Sequence, residues 1–314
     1  MIFQIDFAGL YLNIEKTTKE PTLVFDDNLQ STDMLRLCIK SLEADIEVEV
    51  VQQLIKHINL LPNESAKMLE NWPWPIRIYT LGGFSVEING QPLQFAGKTQ
   101  KKPLELLKAI IALGGKGVSR TLLAETLWPD SDGDDARHTL AITLHRLRRI
   151  IGHEALTQCQ GQLSISHTLC WTDLRSFEYY LSAGANELTH DHLSEAWHFT
   201  QKALQLYKGA FLKNESDSYW ILSMSERVRR KLLHHIDAIC TRLCQNDHYE
   251  QAMEGYLKGL DVDDLKEHFY RGLIICHNQL GQEAEALSVY RECHALLFSV
   301  LGHPPSAETK ALIK

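Results

Sequence analysis

Five side chains between residues 138 and 149 have the types and spacing of a surface that contacts nucleic acid. Arginine can bind guanine O6 and N7 with two hydrogen bonds, histidine can donate to bases or phosphates, and an apolar side chain can meet a thymine methyl group. On a helix at roughly 100° per residue these five positions share one face. They are His138, Ile142, His145, Arg146 and Arg149.

The helix that must carry this face is predicted over residues 134–152. It begins with two acidic residues and ends at a glycine, as helices commonly do. Its opposite side is an apolar stripe within about 40° of Leu140, as expected for a core-facing surface. The stripe consists of Leu140, Leu144, Leu147 and Ile151. A basic helix face is more often solvated than functional. The surrounding elements must therefore decide whether this face contacts nucleic acid.

Other cations near this helix suit phosphate rather than base contact. Arg137 and Arg148 lie on its flank, where the DNA backbone is the nearer target. Lys98, Lys101 and Lys102 precede another helix and either bind phosphate or are solvated. Ile142 has two open interpretations, contact with a thymine methyl or packing against a partner subunit.

The elements around the helix form a recognisable order. Strands at 76–81, 84–88 and 91–95 are joined partly by the turn Asn89-Gly90. A helix opened by Pro103 over 104–113 ends at two glycines, and Ser119 caps a second helix through Leu127. The polar loop 128–133 leads into the basic helix, and a hairpin over 156–165 follows. Sheet, helix, helix, loop, helix and hairpin make a winged helix-turn-helix, with Gln158, Gln160 and Gln162 on the wing.

Two helical regions flank this segment. Residues 33–61 have apolar residues at helical spacing, and Trp72-Pro73-Trp74-Pro75 marks an extended boundary near residue 71. Residues 1–30 are mixed, with strand-like runs such as 22–25. From Asp173 the pattern is helical to the end, with two alanines and two tyrosines each repeating at 34 residues. They are Ala252, Ala286, Tyr256 and Tyr290, at the period of tetratricopeptide repeats.

The sequence therefore predicts a mainly α protein with small antiparallel β-sheets. Three segments are expected: residues 1–70 of uncertain fold, a winged helix-turn-helix over 71–172, and a tetratricopeptide-like helical domain over 173–314. The net charge is −8, but it is spread unevenly. Residues 76–172 hold 11 Lys and Arg against 8 Asp and Glu, and they are the only basic third of the chain. Local charge decides where a polyanion docks.

The composition excludes several classes of protein. No apolar run approaches the ~20 residues of a membrane span, and Asp6 interrupts the start, which does not resemble a signal peptide. Seven cysteines without framework spacing suit a reducing cytoplasm. We therefore expect a cytoplasmic protein that makes no membrane contact.

Two fragments resemble enzyme or metal-binding motifs, but each is only a weak signal of such a site. Gly97-Lys98-Thr99 ends like a phosphate-binding loop, but Pro92 stands where that loop requires glycine. Cys240 and Cys244 lie near His234 and His235 without a second paired motif, so they are interpreted as core residues. The charge run 226–231 is interpreted as a solvated helix face. No catalytic constellation, metal or cofactor is expected.

Several motifs in order resemble a known family of bacterial transcriptional activators. The motifs are IRIYTLGGFSVEINGQPL, residues 101–152 beginning KKPLELLKAII, and CWTDLRSFE. They resemble regulators with an OmpR-type winged helix followed by a bacterial transcriptional activator domain, such as the antibiotic regulatory proteins of actinomycetes. The resemblance covers about residues 76–312. EADIEVEVVQQLIKHINLLP also resembles a junction in larger members that carry an ATPase upstream.

The resemblance implies a sequence-specific regulator of double-stranded DNA whose third winged-helix helix enters the major groove. It also implies a homodimer, and contact between the acidic loop 128–133 and RNA polymerase. The alternative is a protein–protein adaptor whose winged helix does not bind DNA, which the acidic total charge favours. Steep loss of affinity with salt distinguishes a DNA binder from an adaptor.

Overall fold

The computed structural model describes residues 2–7, 10–16, 21–24, 31–94, 101–215 and 218–313. Contacts divide the chain into two units. The first comprises residues 1–80 and 85–176, and the second comprises 81–84 and 177–314. Among the described helices, none is both long and apolar enough to cross a membrane.

The first unit begins with a three-stranded antiparallel sheet. Its strands are β1 (Ile2–Phe7), β2 (Leu10–Lys16) and β3 (Pro21–Val24), in that order across the sheet. β3 overlaps the strand-like run 22–25 noted in the sequence, whereas the other two strands were not assigned there.

Two helices follow where the sequence pattern suggested one continuous helical run. They are α1 (Ser31–Glu43) and α2 (Val48–His57). Between them Asp45 and Glu47 have positive φ values of 51° and 46°, which an α-helix does not accommodate. The apolar spacing continues through this break, and Ile46 is 38% exposed there.

The segment around residue 71 is packed rather than extended away from its neighbours. Trp72 and Trp74 are each only 3% exposed. The Gln52 amide donates to the Asn71 carbonyl at 2.7 Å, and the Trp171 indole donates to the Met68 carbonyl at 3.3 Å. Residues on both sides of the predicted boundary thus share the first unit, so the proposed division at residue 71 does not coincide with a change of unit.

A four-stranded sheet follows in the first unit. β4 (Ile76–Tyr79), β5 (Ser85–Ile88) and β6 (Gln91–Pro92) are antiparallel neighbours. Asn89 and Gly90 join the last two with φ values of 51° and 77°, as the hairpin prediction required. On the other side of β4, a strand later in the chain, Cys170–Thr172, pairs in parallel.

The helices of the winged helix are α3 (Lys101–Ala112), α4 (Arg120–Leu127) and α5 (Gly133–Ile151). The prediction opened α3 at Pro103, but the helix begins two residues earlier. Proline fits there because the first-turn N–H groups have no partner within the helix. Ser119 caps α4 as predicted, with its hydroxyl accepting from the Leu122 N–H at 3.4 Å.

A small sheet forms the wing. β7 (Val118–Ser119) pairs with β9 (Gln162–Ile165), which pairs with β8 (Leu156–Cys159) as the predicted hairpin. The strand that joins β4 is therefore β10 (Cys170–Thr172). Three helices followed by this hairpin confirm the winged helix-turn-helix.

The rest of the chain is helical, as predicted. Its helices are α6 (Asp173–Thr189), α7 (Leu193–Leu206), α8 (Tyr219–Gln245), α9 (Tyr249–Val262), α10 (Glu267–Gln279), α11 (Glu283–Leu301) and α12 (Ala307–Lys310).

The repeat seen in the sequence coincides with these helices. α9 and α11 start 34 residues apart, and Ala252 and Ala286 are buried on them. Gly272 on α10 lets the Tyr256 ring lie against it, since a Cβ there would be 2.4 Å from the ring. Close packing of successive helices thus depends on small residues at the contacts.

Candidate nucleic-acid interface

The buried stripe of α5 sets which way the helix faces. Leu140 and Leu147 are fully buried, while Leu144 and Ile151 are 3% and 4% exposed. α3 and α4 both pack against α5. Burial of this stripe fixes the rotation of the helix about its axis, so the opposite side chains must point away from the core.

The predicted base-contacting residues are together on that outer side. All five are exposed, and Ile142 is 42% exposed at the centre of the polar face. They recur at steps of three and four residues (138, 142, 146 and 142, 145, 149), so they form one stripe along the helix. They are His138, Ile142, His145, Arg146 and Arg149.

Charge is uneven along this face. Asp134 and Asp135 occupy the first turn, where carboxylates are favoured by the helix dipole, and both are exposed. The arginines are near the other end. Phosphate attraction is therefore concentrated in the C-terminal half of α5, and the first turn repels a polyanion.

One histidine next to this face was not singled out from the sequence. His153 follows the C-terminal Gly152, whose φ is 96°, in a short 3-10 turn over His153–Ala155. Its ring is 6.4 Å from that of His145, in an edge-to-face arrangement. No sequence signal marked this contact, because Gly152, with a ψ of 145°, lies outside the left-handed helical conformation of the usual glycine C-cap.

Arg148 has different neighbours from those expected for a phosphate contact. Its Nη2 donates to the Leu156 carbonyl at 3.3 Å, and its Nε is buried with no hydrogen-bond partner in the part of the chain that the structure describes. The guanidinium therefore connects α5 to the start of the wing hairpin. Because the guanidinium carries five N–H donors, this bond does not use up its capacity, and phosphate contact by Arg148 stays a prediction.

The remaining predicted cations are less closely grouped. Arg137 is 61% exposed and pairs with Asp134 at 3.1 Å. Lys102 pairs with Glu105 at 3.0 Å, and its ammonium lies 5.9 Å from the Trp128 ring centre. Lys101 is exposed at the start of α3, while Lys98 lies outside the described residues. Phosphate contact by these residues stays a prediction.

The wing turn presents neutral side chains, as expected. Gln158, Gln160 and Gln162 are exposed, and Gln160 and Gly161 turn with positive φ values of 46° and 75°. The Gly161 carbonyl accepts from the Arg120 N–H at 3.1 Å, which joins the wing tip to the start of α4. A wing with neutral side chains contributes little Coulomb attraction to DNA.

The phosphate-loop-like and metal-like fragments of the sequence are located as follows. Gly97-Lys98-Thr99 lies outside the described residues. Cys240 is fully buried, and His235 is a buried residue whose Nε2 shares a 2.9 Å hydrogen bond with the Thr200 hydroxyl. Within the described ranges, no group of three or more His, Cys, Asp or Glu side chains could hold a metal ion.

Comparison with known proteins agrees with this architecture. Residues 172–314 match the family model of the bacterial transcriptional activator domain. The fold is similar to that of Mycobacterium tuberculosis EmbR, solved in complex with a low-affinity phosphopeptide, with a TM-score of 0.59 and 18% sequence identity. The match covers 76% of this chain and 64% of that one, so the chain spans less than two thirds of the EmbR chain. No curated protein matches the sequence.

These findings identify the class of protein that the chain resembles. Residues 172–314 match an activator domain, and the fold over 76% of the chain is similar to that of EmbR. The resemblance noted from the sequence, to regulators that join a winged helix to this domain, is confirmed.

Proposed function

We propose that the chain is a transcriptional activator that binds double-stranded DNA through the outer face of α5. One observation carries the proposal: five exposed side chains suited to base contact share a face whose reverse side is fixed in the core of a winged helix. The activator-domain match over residues 172–314 supports the regulatory part. In this proposal the protein binds DNA without catalysing a reaction. It acts in the cytoplasm, where bacterial DNA is found.

Arg146 and Arg149 are the residues proposed to supply most of the sequence discrimination. Each can make two hydrogen bonds to a guanine, which is worth about 1–3 kcal/mol against the wrong base. His138 and His145 add hydrogen bonds to bases or phosphates. Ile142, exposed among polar neighbours, is proposed to contact a thymine methyl group or a second subunit.

Two interactions beyond DNA complete the proposal. The loop 128–133 has exposed acidic residues Asp130 and Asp132, which suit a basic surface of RNA polymerase. The second unit has exposed apolar side chains that support self-association as a homodimer. The most exposed are Tyr219, Phe298, Val300, Leu257 and Leu222.

The proposal is tested by selecting bound genomic fragments and measuring affinity for a selected site across a salt series. A DNA binder loses affinity with a slope near −0.9 per neutralised phosphate in a log–log plot. Arg146→Ala and Arg149→Ala should each weaken specific binding by about 1–3 kcal/mol. Arg230→Ala, which removes an exposed arginine of α8, is the matched control and should leave affinity unchanged.

Two results would overturn the proposal. Affinity that does not vary with salt, or no selected fragment at all, would favour a protein–protein adaptor. Equal affinity of wild type and Arg149→Ala for a selected site would show that another surface makes the base contacts.

A further inference from the structure

Two cysteines from different helices meet inside the second unit. Cys244 lies in the last turn of α8 and Cys276 lies on α10, and their sulfur atoms are 3.4 Å apart. A disulfide requires about 2.05 Å between the sulfurs, so a movement of roughly 1.4 Å would join them. Both thiols are free in this structure.

The two thiols differ in their access to solvent. Cys276 is fully buried, whereas Cys244 is half-buried and lines a cavity of about 320 Å³. Thr241, Gln245 and His268 line the same cavity and are exposed, so the cavity opens to solvent. A small reagent can therefore reach Cys244 first, with Cys276 directly behind it.

The local hydrogen bonds favour the thiolate of Cys244. The hydrogen bond between the two thiols lowers the pKa of Cys244 to about 7, and the Tyr256 hydroxyl contributes in the same direction against the opposing effect of burial. The same interaction holds the pKa of Cys276 well above its usual range, because its proton is the one shared. The thiolate is the nucleophilic form of cysteine.

We propose that Cys244 and Cys276 form a reversible thiol–disulfide switch in the activator domain, oxidised by low-molecular-weight disulfides. The Cys244 thiolate attacks one sulfur of the small disulfide, which forms a mixed disulfide and releases one small thiolate. The Cys276 thiol then loses its proton and attacks the Cys244 sulfur, which releases the second small thiolate. Two protein thiols are oxidised, and one small disulfide is reduced to two thiols.

The resulting bond would join α8 to α10, which α9 separates in the sequence. The two residues are 32 positions apart, and the tie would fix the helix packing on which Tyr256 and Gly272 depend. This inference concerns the helical unit alone, so it stands or fails independently of DNA binding.

The test treats the full chain with oxidised glutathione. Wild type should lose two of its seven thiols and two hydrogen atoms of mass, with one cross-link between the peptides that hold residues 244 and 276. Dithiothreitol should reverse the change. In Cys276→Ser the mixed disulfide should persist on Cys244. Cys159→Ser removes an exposed cysteine of the wing and should behave as wild type.

A second readout avoids dependence on how the serine variant folds. The rate of alkylation of Cys244 in wild type should rise with a midpoint near pH 7, rather than near the ~8.5 of an ordinary thiol. Retention of all seven thiols, a cross-link between other cysteines, or an alkylation midpoint near 8.5 would each overturn the proposal.

Discussion

Thr80 and Asp173 are 93 positions apart and joined by two hydrogen bonds in the interior of the first unit. The Thr80 N–H donates to Asp173 Oδ2 at 2.6 Å, and the Thr80 hydroxyl donates to Oδ1 at 2.8 Å. The Leu174 N–H also donates to Oδ1, at 2.7 Å. One carboxylate, 2% exposed, thus fixes the end of β4 to the start of α6.

Replacement of this carboxylate should destabilise the fold strongly. Asp173→Asn puts amide hydrogens against N–H and O–H donors, so we expect a loss of about 2–4 kcal/mol in the free energy of unfolding. Urea unfolding of the first unit measures it. The matched control is Asp264→Asn, an exposed residue of the second unit. A loss below about 0.5 kcal/mol in Asp173→Asn would show that the network tolerates the amide.

Two apolar residues of α5 should separate stability from DNA binding. Leu147→Ala leaves a cavity at a fully buried position and should cost about 2–5 kcal/mol. Ile142→Ala, at a 42% exposed position, should stay within about 0.5 kcal/mol of wild type. If Ile142 contacts a thymine methyl, only this second variant weakens binding to a selected site while the protein stays folded. Equal stability losses in both variants would contradict the orientation of the helix.

The acidic first turn of α5 should oppose DNA. Asp134→Asn combined with Asp135→Asn removes two exposed negative charges from the end of the proposed interface. Affinity should rise several-fold at low salt, and the gain should shrink as salt is added, because screening shortens the reach of these charges. The control is Asp237→Asn on α8 of the other unit, which should leave affinity as it is. Weaker binding of the double variant would mean that these carboxylates contact bases directly.

Glu267 should make the stability of the second unit depend on pH. Its Oε1 accepts from the Ser306 N–H at 2.9 Å and from the hydroxyls of Ser306 and Thr309 at 2.5 and 2.6 Å. Burial alone raises the pKa of Glu267, but these hydrogen bonds and the charge of Arg271 outweigh it and hold that pKa below its usual range.

The direction of this pH dependence follows from the lowered pKa of Glu267. The stabilisation is present above the ordinary glutamate pKa of about 4.3 and is lost as the pH falls through the lower folded-state value. The free energy of unfolding of wild type should therefore fall more than that of Glu267→Gln between about pH 5 and about pH 3. Glu250→Gln, at an exposed position of α9, serves as the control and should follow wild type. Parallel curves for wild type and Glu267→Gln would rule out this contribution.

Local patterns predicted the parts of the site that depend on one helix. The helical spacing of about 100° per residue separated the buried Leu140 from the exposed Arg149, because helical geometry alone decides which residues share a side. It could not distinguish Arg148 from Arg137, since the carbonyl of Leu156 that Arg148 contacts depends on where the hairpin packs. The same limit hid the pairing of Cys244 with Cys276, which are on different helices.

Long-range pairing explains the other differences. β10 is three residues long and joins β4 from 94 positions later in the chain, so no local signal marks it. The break between α1 and α2 was missed because apolar spacing continues through Ile46. The positive φ values of Asp45 and Glu47 separate the two helices, and the apolar pattern does not reveal them.

The pairing of β10 with β4 decides where the chain can be shortened. A fragment that stops after the wing at Ile165 would leave one edge of β4 without its partner strand, and an open edge of this kind recruits other chains. It would also remove Asp173 from Thr80 and Trp171 from the Met68 carbonyl. A soluble, monodisperse preparation of the winged helix alone should therefore require the residues before Trp72 and the chain through Ser176.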